Sequence, residues 1–198
     1  MKLLALIAAL LFFVSAQAVA TEKIPPPLPG QIRSVQADFR QEKRLKILAA
    51  PLVSTGTFTF QSPGSLRWEY RNPVQSILLM HGGKVKKFIA RDGVLVEERG
   101  MRLDSMQVVL AEISNWLDGR FAENNMFTTM FPDARTILLT PRKQELAALI
   151  SSIELKLADQ AGLLDEVTIF EGPDSSTRLI FSNRVLNREI PPSLFTGR

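Results

Sequence analysis

Residues 57–80, with the sequence TFTFQSPGSLRWEYRNPVQSILLM, decide the fold class because they contain three short strands joined by two tight turns. Large apolar residues alternate with polar ones on both sides of the first turn, at residues 62–64: Phe58, Phe60, Leu66, Trp68 and Tyr70. An alternation with a period of two predicts strands that bury one face. Residues 75–80, after the second turn, are apolar on both faces. Connections this short join antiparallel neighbours, so the stretch predicts an antiparallel sheet.

The same rhythm of short strands and turns continues in both directions along the chain. Further strands are predicted at residues 35–40, 84–90, 94–99, 126–131, 135–140, 152–158, 165–171 and 177–184. Gly-containing turns separate several of them, as expected for hairpins. Together the segments predict about nine to eleven strands in one large curved sheet, in a mainly β (α+β) domain.

One segment, residues 103–117, has helical periodicity instead. Its apolar residues recur at steps of three and four: Leu103, Met106, Leu110, Ile113 and Leu117. This spacing is typical of an amphipathic helix, with Asp104 and Gln107 resembling a capping box and Gly119 a C-terminal stop. A shorter helix is predicted to begin at Pro141 and to run through residue 149. Two helices cover such a sheet only in part, so the pattern leaves open a packed core or an apolar cavity.

The N-terminus has the features of a secretory signal peptide. Lys2 precedes an apolar core at residues 3–14, and small residues with an A-x-A pattern follow up to Ala20. The apolar core is too short to span a membrane. We therefore expect a signal peptide at residues 1–20, a Pro-rich leader at 21–34, and a single domain at 35–198.

Composition and charge exclude several classes of function. A net charge of +4, with no long basic run, does not indicate a nucleic-acid partner. The chain has no cysteine and one histidine, which excludes thiol nucleophiles, thiolate zinc and multi-histidine metal sites. His81 lies in a Gly-flanked turn, and no serine has the context of a nucleophile elbow. The adjacent carboxylates at residues 97–98 and 165–166 point to opposite faces of their strands. We therefore expect neither an enzyme nor a metal or cofactor site.

Several stretches resemble the LolA family, the periplasmic carriers of outer-membrane lipoproteins. The similarity lies in residues 35–41, Gly56, residues 63–73, residues 77–79 before Gly82, and the C-terminal residues 181–183 and 187–195. The resemblance implies an unclosed antiparallel half-barrel whose helices form a lid over an apolar cavity. It therefore favours the cavity over the packed core.

Two departures from the family pattern suggest a divergent paralogue. LolA carriers usually have an arginine directly before the proline of the first turn, Pro63, and this chain has Ser62 there, without a guanidinium that could hold a lid. The family also usually begins with an amphipathic helix, and residues 25–30 here are Pro-rich instead.

The resemblance implies a non-enzymatic periplasmic carrier that shelters the acyl chains of a lipoprotein or another lipid-like cargo. The partners it implies are an inner-membrane loading complex or transporter and an outer-membrane acceptor, and we expect a monomer. The alternative is a lipid-binding sensor or adaptor of the same fold that contacts a membrane protein. The residues expected to line the cavity are Phe58, Phe60, Leu66, Trp68, Ile77, Leu79, Met106, Leu110, Ile113 and Leu117.

Overall fold

The computed structural model describes residues 32–98, 108, 112–113, 115–117, 120–121, 125–159 and 163–196, and within them eleven strands form one sheet. The strands are β1 (Ser34–Arg44), β2 (Leu52–Gln61), β3 (Ser65–Asn72), β4 (Ser76–His81), β5 (Lys84–Arg91), β6 (Val94–Glu97), β7 (Phe127–Met130), β8 (Thr136–Pro141), β9 (Ser152–Leu157), β10 (Leu164–Gly172) and β11 (Ser175–Leu186). All pairs are antiparallel, and β6 and β7 are the two edges, so the sheet is unclosed. The mainly β, antiparallel and unclosed architecture expected from the sequence is confirmed.

The sheet consists of two meanders joined at its centre. Strands β1 to β6 follow one another in space as they do along the chain, and so do β7 to β11. The two halves meet where β1 pairs with β11, with Phe39 opposite Phe181. This central pairing brings the beginning and the end of the domain together.

One face of the sheet, called the inner face below, carries the main hydrophobic core. Its residues alternate along each strand, as the pleat requires. Phe58 and Phe60 on β2, Trp68 on β3, and Ile153 and Leu155 on β9 are all buried in one cluster. The helical residues described between positions 108 and 117 lie over this face, with Val108, Ile113, Trp116 and Leu117 buried in the same cluster.

The opposite, outer face is largely polar across the central strands. Arg178 of β11 pairs with Glu166 of β10 at 2.5 Å, and Lys156 of β9 lies 3.5 Å from the same carboxylate. A second, smaller apolar cluster lies on this face between β4 and β5, where Ile77, Leu79 and Phe88 are buried with Leu95 packed against them.

The long predicted helix is described only in part. Val108, Glu112, Ile113 and residues 115–117 are helical, whereas Met106, Leu110 and the predicted cap and stop residues lie outside the described residues, as do the signal peptide and residues 21–31 of the leader. No helix within the described ranges has the length and apolar character needed to cross a membrane.

The shorter helix differs from its predicted bounds. It covers only Gln144–Ala147, and Pro141 is the last residue of β8, paired with Phe127, instead of the first residue of the helix. The proline is tolerated because it lies at the end of the strand, next to the short edge strand β7. The Arg142 N–H donates to the Met126 carbonyl at 2.8 Å and continues the pairing one step beyond Pro141.

A C-terminal 3-10 turn, Pro192–Phe195, packs on the outer face of β3 and β4. The Phe195 ring is buried and stacks on His81, with ring centroids 6.2 Å apart. Arg67 of β3 donates to the Leu194 carbonyl at 3.3 Å. This turn is thereby fixed to the side of the sheet opposite the main core.

Candidate binding cleft

A small apolar cleft lies where the helical residues meet the inner face of the sheet. Two helical residues, Ile113 and Leu117, form one wall. The remaining lining residues come from the sheet and from the segment before β10: Val35, Ala37, Phe58, Leu163, Leu164, Phe181 and Arg184. Every lining side chain except Arg184 is hydrophobic, so this place favours an apolar occupant.

The cleft is nearly closed in this conformation. Its volume is about 30 Å³, which is room for a water molecule and far less than a long hydrocarbon chain needs. Ile113 and Leu117 are 3% and 4% exposed, so they are seated firmly against the sheet. In this conformation the cleft therefore has no room for an acyl chain.

Aromatic rings form the floor beside the cleft. Trp68 packs against Phe58 at 5.2 Å and against Phe181 at 6.3 Å between ring centroids, both in edge-to-face geometry. Phe39 packs on the same indole at 5.1 Å. Such contacts add to area burial and give this part of the sheet a rigid apolar surface.

The structure brings six of the ten predicted cavity residues into the inner-face cluster. These are Phe58, Phe60, Leu66, Trp68, Ile113 and Leu117. Of the six, Phe58, Ile113 and Leu117 line the cleft itself, whereas the others pack in the surrounding core. Met106 and Leu110 lie outside the described residues.

Ile77 and Leu79 require a correction, because they lie on the outer face. The register pairs Leu79 with Arg67 and Ile77 with Glu69, whereas Leu78 lies opposite Trp68. Strand β4 is apolar on both sides, so alternation could not show which of its residues face the main core. Leu78 and Met80 are the β4 residues that pack against the inner cluster.

Arg184 is a cleft residue that the sequence pattern did not reveal. The β1–β11 register shifts between Gln36 and Asp38, and Asn183 has a φ of 51°. The shift inserts an extra residue on β11 and turns Arg184 toward the cleft, although strict alternation from Phe181 would place it on the outer face. Asn183 holds this bulge by donating to the Asp38 carboxylate at 2.7 Å.

The Arg184 guanidinium is neutralised at the rim of the cleft. Its Nη2 donates to Asp165 at 2.6 Å and to the Phe181 carbonyl at 2.8 Å. Arg135 lies on the other side of Asp165, at 3.5 Å, and also pairs with Asp159. The rim therefore has alternating charges next to an apolar interior.

The single histidine lies away from this cleft. His81 Nδ1 is 2.8 Å from Ser65 Oγ on the outer face, where both residues are at the surface. Within the described ranges no carboxylate is hydrogen-bonded to its other ring nitrogen. Ser62, in the β2–β3 turn, is exposed, and its N–H donates to the Arg33 carbonyl.

Comparison with known proteins gives a match over most of the chain. The family model described as outer membrane lipoprotein carrier protein LolA matches residues 30–198. An outer-membrane lipoprotein carrier protein of Nitrosomonas europaea is 29% identical over 81% of this chain and 76% of its own length, and one of Methylococcus capsulatus is 27% identical over 82% and 76%. Among solved structures, the LolA superfamily protein NE2245 of Nitrosomonas europaea aligns with a TM-score of 0.43 and 11% identity, covering 86% of this chain and 93% of that one.

Proposed function

The chain belongs to the LolA family of outer membrane lipoprotein carrier proteins, and from this premise we propose that it is a carrier of acylated cargo whose acyl chains enter between the helical residues and the inner face of the sheet. The observation that carries the proposal is the apolar cleft between Ile113 and Leu117 on one side and Ala37 and Phe58 on the other. The helical residues act as a lid, closed in the conformation described. The proposed site comprises Phe58, Ile113 and Leu117 together with Trp68 and the neighbouring core.

The energetics of acyl burial suit reversible carriage. Transfer of a methylene from water is worth about 0.8 kcal/mol, so a fully sheltered chain of about 16 carbons is worth roughly 13 kcal/mol. Opening the lid exposes Ile113, Trp116 and Leu117, which opposes this gain. The net binding free energy is the burial of the chain minus the cost of opening the lid, and this difference allows both retention and release of the cargo. No covalent chemistry is needed, so the proposed carrier is not an enzyme and uses no cofactor.

The proposed location is the periplasm, since the first 20 residues have the features of a cleaved secretory signal. The proposed partners are an acylated lipoprotein or other lipid cargo, an inner-membrane complex that loads it and an outer-membrane acceptor. The proposed monomer carries one cargo molecule in this cleft.

The first experiment asks whether the protein holds lipid. The chain is secreted into a bacterial periplasm with its own signal, purified without detergent, and extracted for mass spectrometry. We expect acylated species, and we expect the lipid-free protein to bind an apolar fluorescent dye. Transfer of labelled lipid between vesicles then separates a carrier from a sensor that binds lipid without moving it.

A cleft-filling variant provides the matched control. Ala37 lines the cleft and is 6% exposed, so Ala37→Leu places apolar atoms of the protein where the cargo would lie. We expect dye binding to fall at least tenfold. Because the cleft has only about 30 Å³, the larger side chain should also cost about 1–3 kcal/mol of stability through overpacking, and circular dichroism checks that the variant is folded. Full dye binding by Ala37→Leu, or the absence of acylated species in the native extract, contradicts the proposal.

A further inference from the structure

The connection between β1 and β2, residues 45–51, has apolar side chains that are exposed to solvent. Ile47 is 87% exposed, and Leu48 and the first residue of β2, Leu52, are 40% and 52% exposed. Isolated exposed apolar residues are ordinary on a protein surface, whereas a group of them often marks an interaction site. These three residues, which are close together in the chain, are called the β1–β2 tip below.

The β1–β2 tip lies at the end of the sheet where exposed apolar residues are concentrated. In an antiparallel meander alternate connections lie at the same end, so the β3–β4, β5–β6, β8–β9 and β10–β11 connections share this end with the tip. The large apolar residues exposed in or directly beside these five connections are Ile47, Leu48, Leu52, Val74, Val94 and Leu149. In the described parts of the strand connections at the opposite end, Met130 is the only such residue.

Basic side chains accompany the tip. Arg44 is exposed and directly precedes the β1–β2 connection, and Lys46 lies within it, whereas the connection has no acidic residue. Lys46 lies 3.4 Å from Asp174 of the β10–β11 connection, but both side chains are more than half exposed, so this pair is weak. The five connections and their flanking strand residues contain five basic residues, Arg44, Lys46, Arg91, Arg142 and Lys143, and three acidic ones, Asp92, Glu145 and Asp174.

The β1–β2 connection also borders an open hollow of about 380 Å³. Arg44, Lys46 and Leu48 are among its lining residues, so positive and apolar groups share one space. Small-molecule sites commonly measure about 300–1,000 Å³. The surface of an anionic bilayer has the complementary arrangement, with negative headgroups directly above apolar chains.

We propose that the β1–β2 tip docks on an anionic phospholipid bilayer, with its three apolar side chains in the interface and with Arg44 and Lys46 on the lipid phosphates. This surface is separate from the cleft. Val35, Leu164 and Arg184 line the cleft near the start of β1, the start of β10 and the end of β11, toward the opposite end of the sheet. Docking through the tip therefore leaves the cleft uncovered, and it does not depend on what the cleft holds.

Cosedimentation with vesicles tests the docking. The purified protein is mixed with vesicles of phosphatidylcholine alone or of phosphatidylcholine with phosphatidylglycerol. We expect about tenfold tighter binding to the anionic vesicles, and weaker binding at high salt, because salt screens the attraction to the phosphates. Arg44→Gln with Lys46→Gln should lower the preference for anionic vesicles several-fold. Equal binding to both kinds of vesicle, binding to neither, or an unchanged preference in this variant overturns the proposal.

Two matched variants then locate the contact. Ile47→Ser with Leu48→Ser removes apolar atoms from the tip, and Val85→Ser with Met130→Ser removes them from the opposite end, where these residues are 47% and 56% exposed. All four side chains are exposed, so both variants should fold, which circular dichroism checks. We expect the tip variant to bind anionic vesicles at least tenfold more weakly and the opposite-end variant to bind like the native protein. An equal effect of the two variants contradicts the proposal.

A fluorescent label reports the contact directly. Since the chain has no cysteine, Ile47→Cys and Val85→Cys each offer one site for a dye whose emission shifts to the blue in apolar surroundings. We expect anionic vesicles to shift the dye at position 47 and to leave the dye at position 85 unchanged. An equal shift at both positions, or at neither, shows that the protein does not dock through the tip. A protein that ignores vesicles but forms a dimer, which Ile47→Ser with Leu48→Ser dissociates, overturns the proposal and assigns the tip to an interface with a second copy.

Discussion

Gly56 permits the close packing of two aromatic rings at the centre of the inner face. It lies on β2 between Phe39 of β1 and Tyr70 of β3. The two rings meet over it in edge-to-face geometry, with centroids 5.0 Å apart. Aromatic side chains on neighbouring strands commonly cover a strand glycine in this way. The glycine also lies at an irregularity in the β2–β3 pairing, and the backbone of Glu69 occupies the space that a Cβ at this position would need.

We expect Gly56→Ala to destabilise the fold. An added Cβ would lie 1.9 Å from the Glu69 carbonyl oxygen, which is backbone and cannot move aside as a side chain would. Overpacking of this kind costs about 1–3 kcal/mol, which urea unfolding monitored by tryptophan fluorescence can measure. The control is Gly64→Ala, since nothing lies within 4 Å of a Cβ at Gly64. Equal stabilities of the two variants would contradict the close approach at Gly56.

At the scale of single residues, the sequence predicted most of the inner face but not its exceptions. Alternation placed Phe58, Phe60 and Trp68 correctly because their strands are polar on the other side. It could not orient Ile77, because β4 is apolar on both faces. Arg184 was missed because a bulge adds a residue to β11, and no composition signal at Asn183 distinguishes a bulge from an ordinary strand residue.

The strands of the outer face are linked by a ladder of charges centred on Glu166. Arg178 on β11 and Lys156 on β9 both reach this carboxylate, and Thr168 donates to it at 3.2 Å. The hydrogen bond from Arg178, together with the charges of Arg178 and Lys156, lowers the pKa of Glu166 below its ordinary value of 4.5, although partial burial opposes the shift. Arg178 in turn has a raised pKa, chiefly through the same hydrogen bond.

This lowered pKa predicts a loss of stability in acid. A carboxyl whose pKa is lower in the folded state stabilises the fold above about pH 4.5, and the contribution is lost as the pH falls through the folded value. We expect the unfolding free energy of Glu166→Gln to be lower at neutral pH and to change less between pH 5 and 3, roughly the range over which carboxyls protonate. Glu145→Gln is the control, since Glu145 is exposed and has no ion pair within the described ranges. Parallel pH profiles for Glu166→Gln and the native protein would contradict the assignment.

At the scale of elements, strands were easier to predict than their ends. Pro141 was predicted to begin a helix because proline favours the first turn, yet the hairpin with β7 takes it as the last residue of β8. Pairing across strands thus decided a boundary that local preference could not. The C-terminal turn at Pro192–Phe195 had no periodic pattern to reveal it, because its buried ring depends on a contact with His81, far away in the chain.

At the scale of the whole molecule, the short connections in the sequence predicted the two meanders. They did not predict that the meanders join through the pairing of β1 with β11. Tight turns place consecutive strands side by side, so most neighbours in the sheet could be predicted. The pairing of β1 with β11 joins segments more than 130 residues apart, as in Phe39 with Phe181. Such long-range contacts depend on the total packing of the inner face. The nearly closed cleft has the same origin, because patterns identify apolar residues without showing how tightly a cover rests on them.

Movement of the lid relative to the sheet is the premise of carriage by the whole molecule. The chain has no cysteine, so two introduced thiols can form only one intramolecular bridge. Ala37 and Ile113 line the cleft from the sheet and from the helical residues, so Ala37→Cys with Ile113→Cys places one thiol on each wall for a short, reducible thiol-specific crosslinker. A crosslink between the two cysteines holds the helical residues against the sheet, so we expect dye and lipid uptake to be lost. Reduction of the crosslink should restore both. Each single cysteine variant should take up dye equally well before and after treatment with the crosslinker. Undiminished lipid uptake by the bridged protein would show that cargo enters elsewhere, and the lid would then be a fixed part of the core.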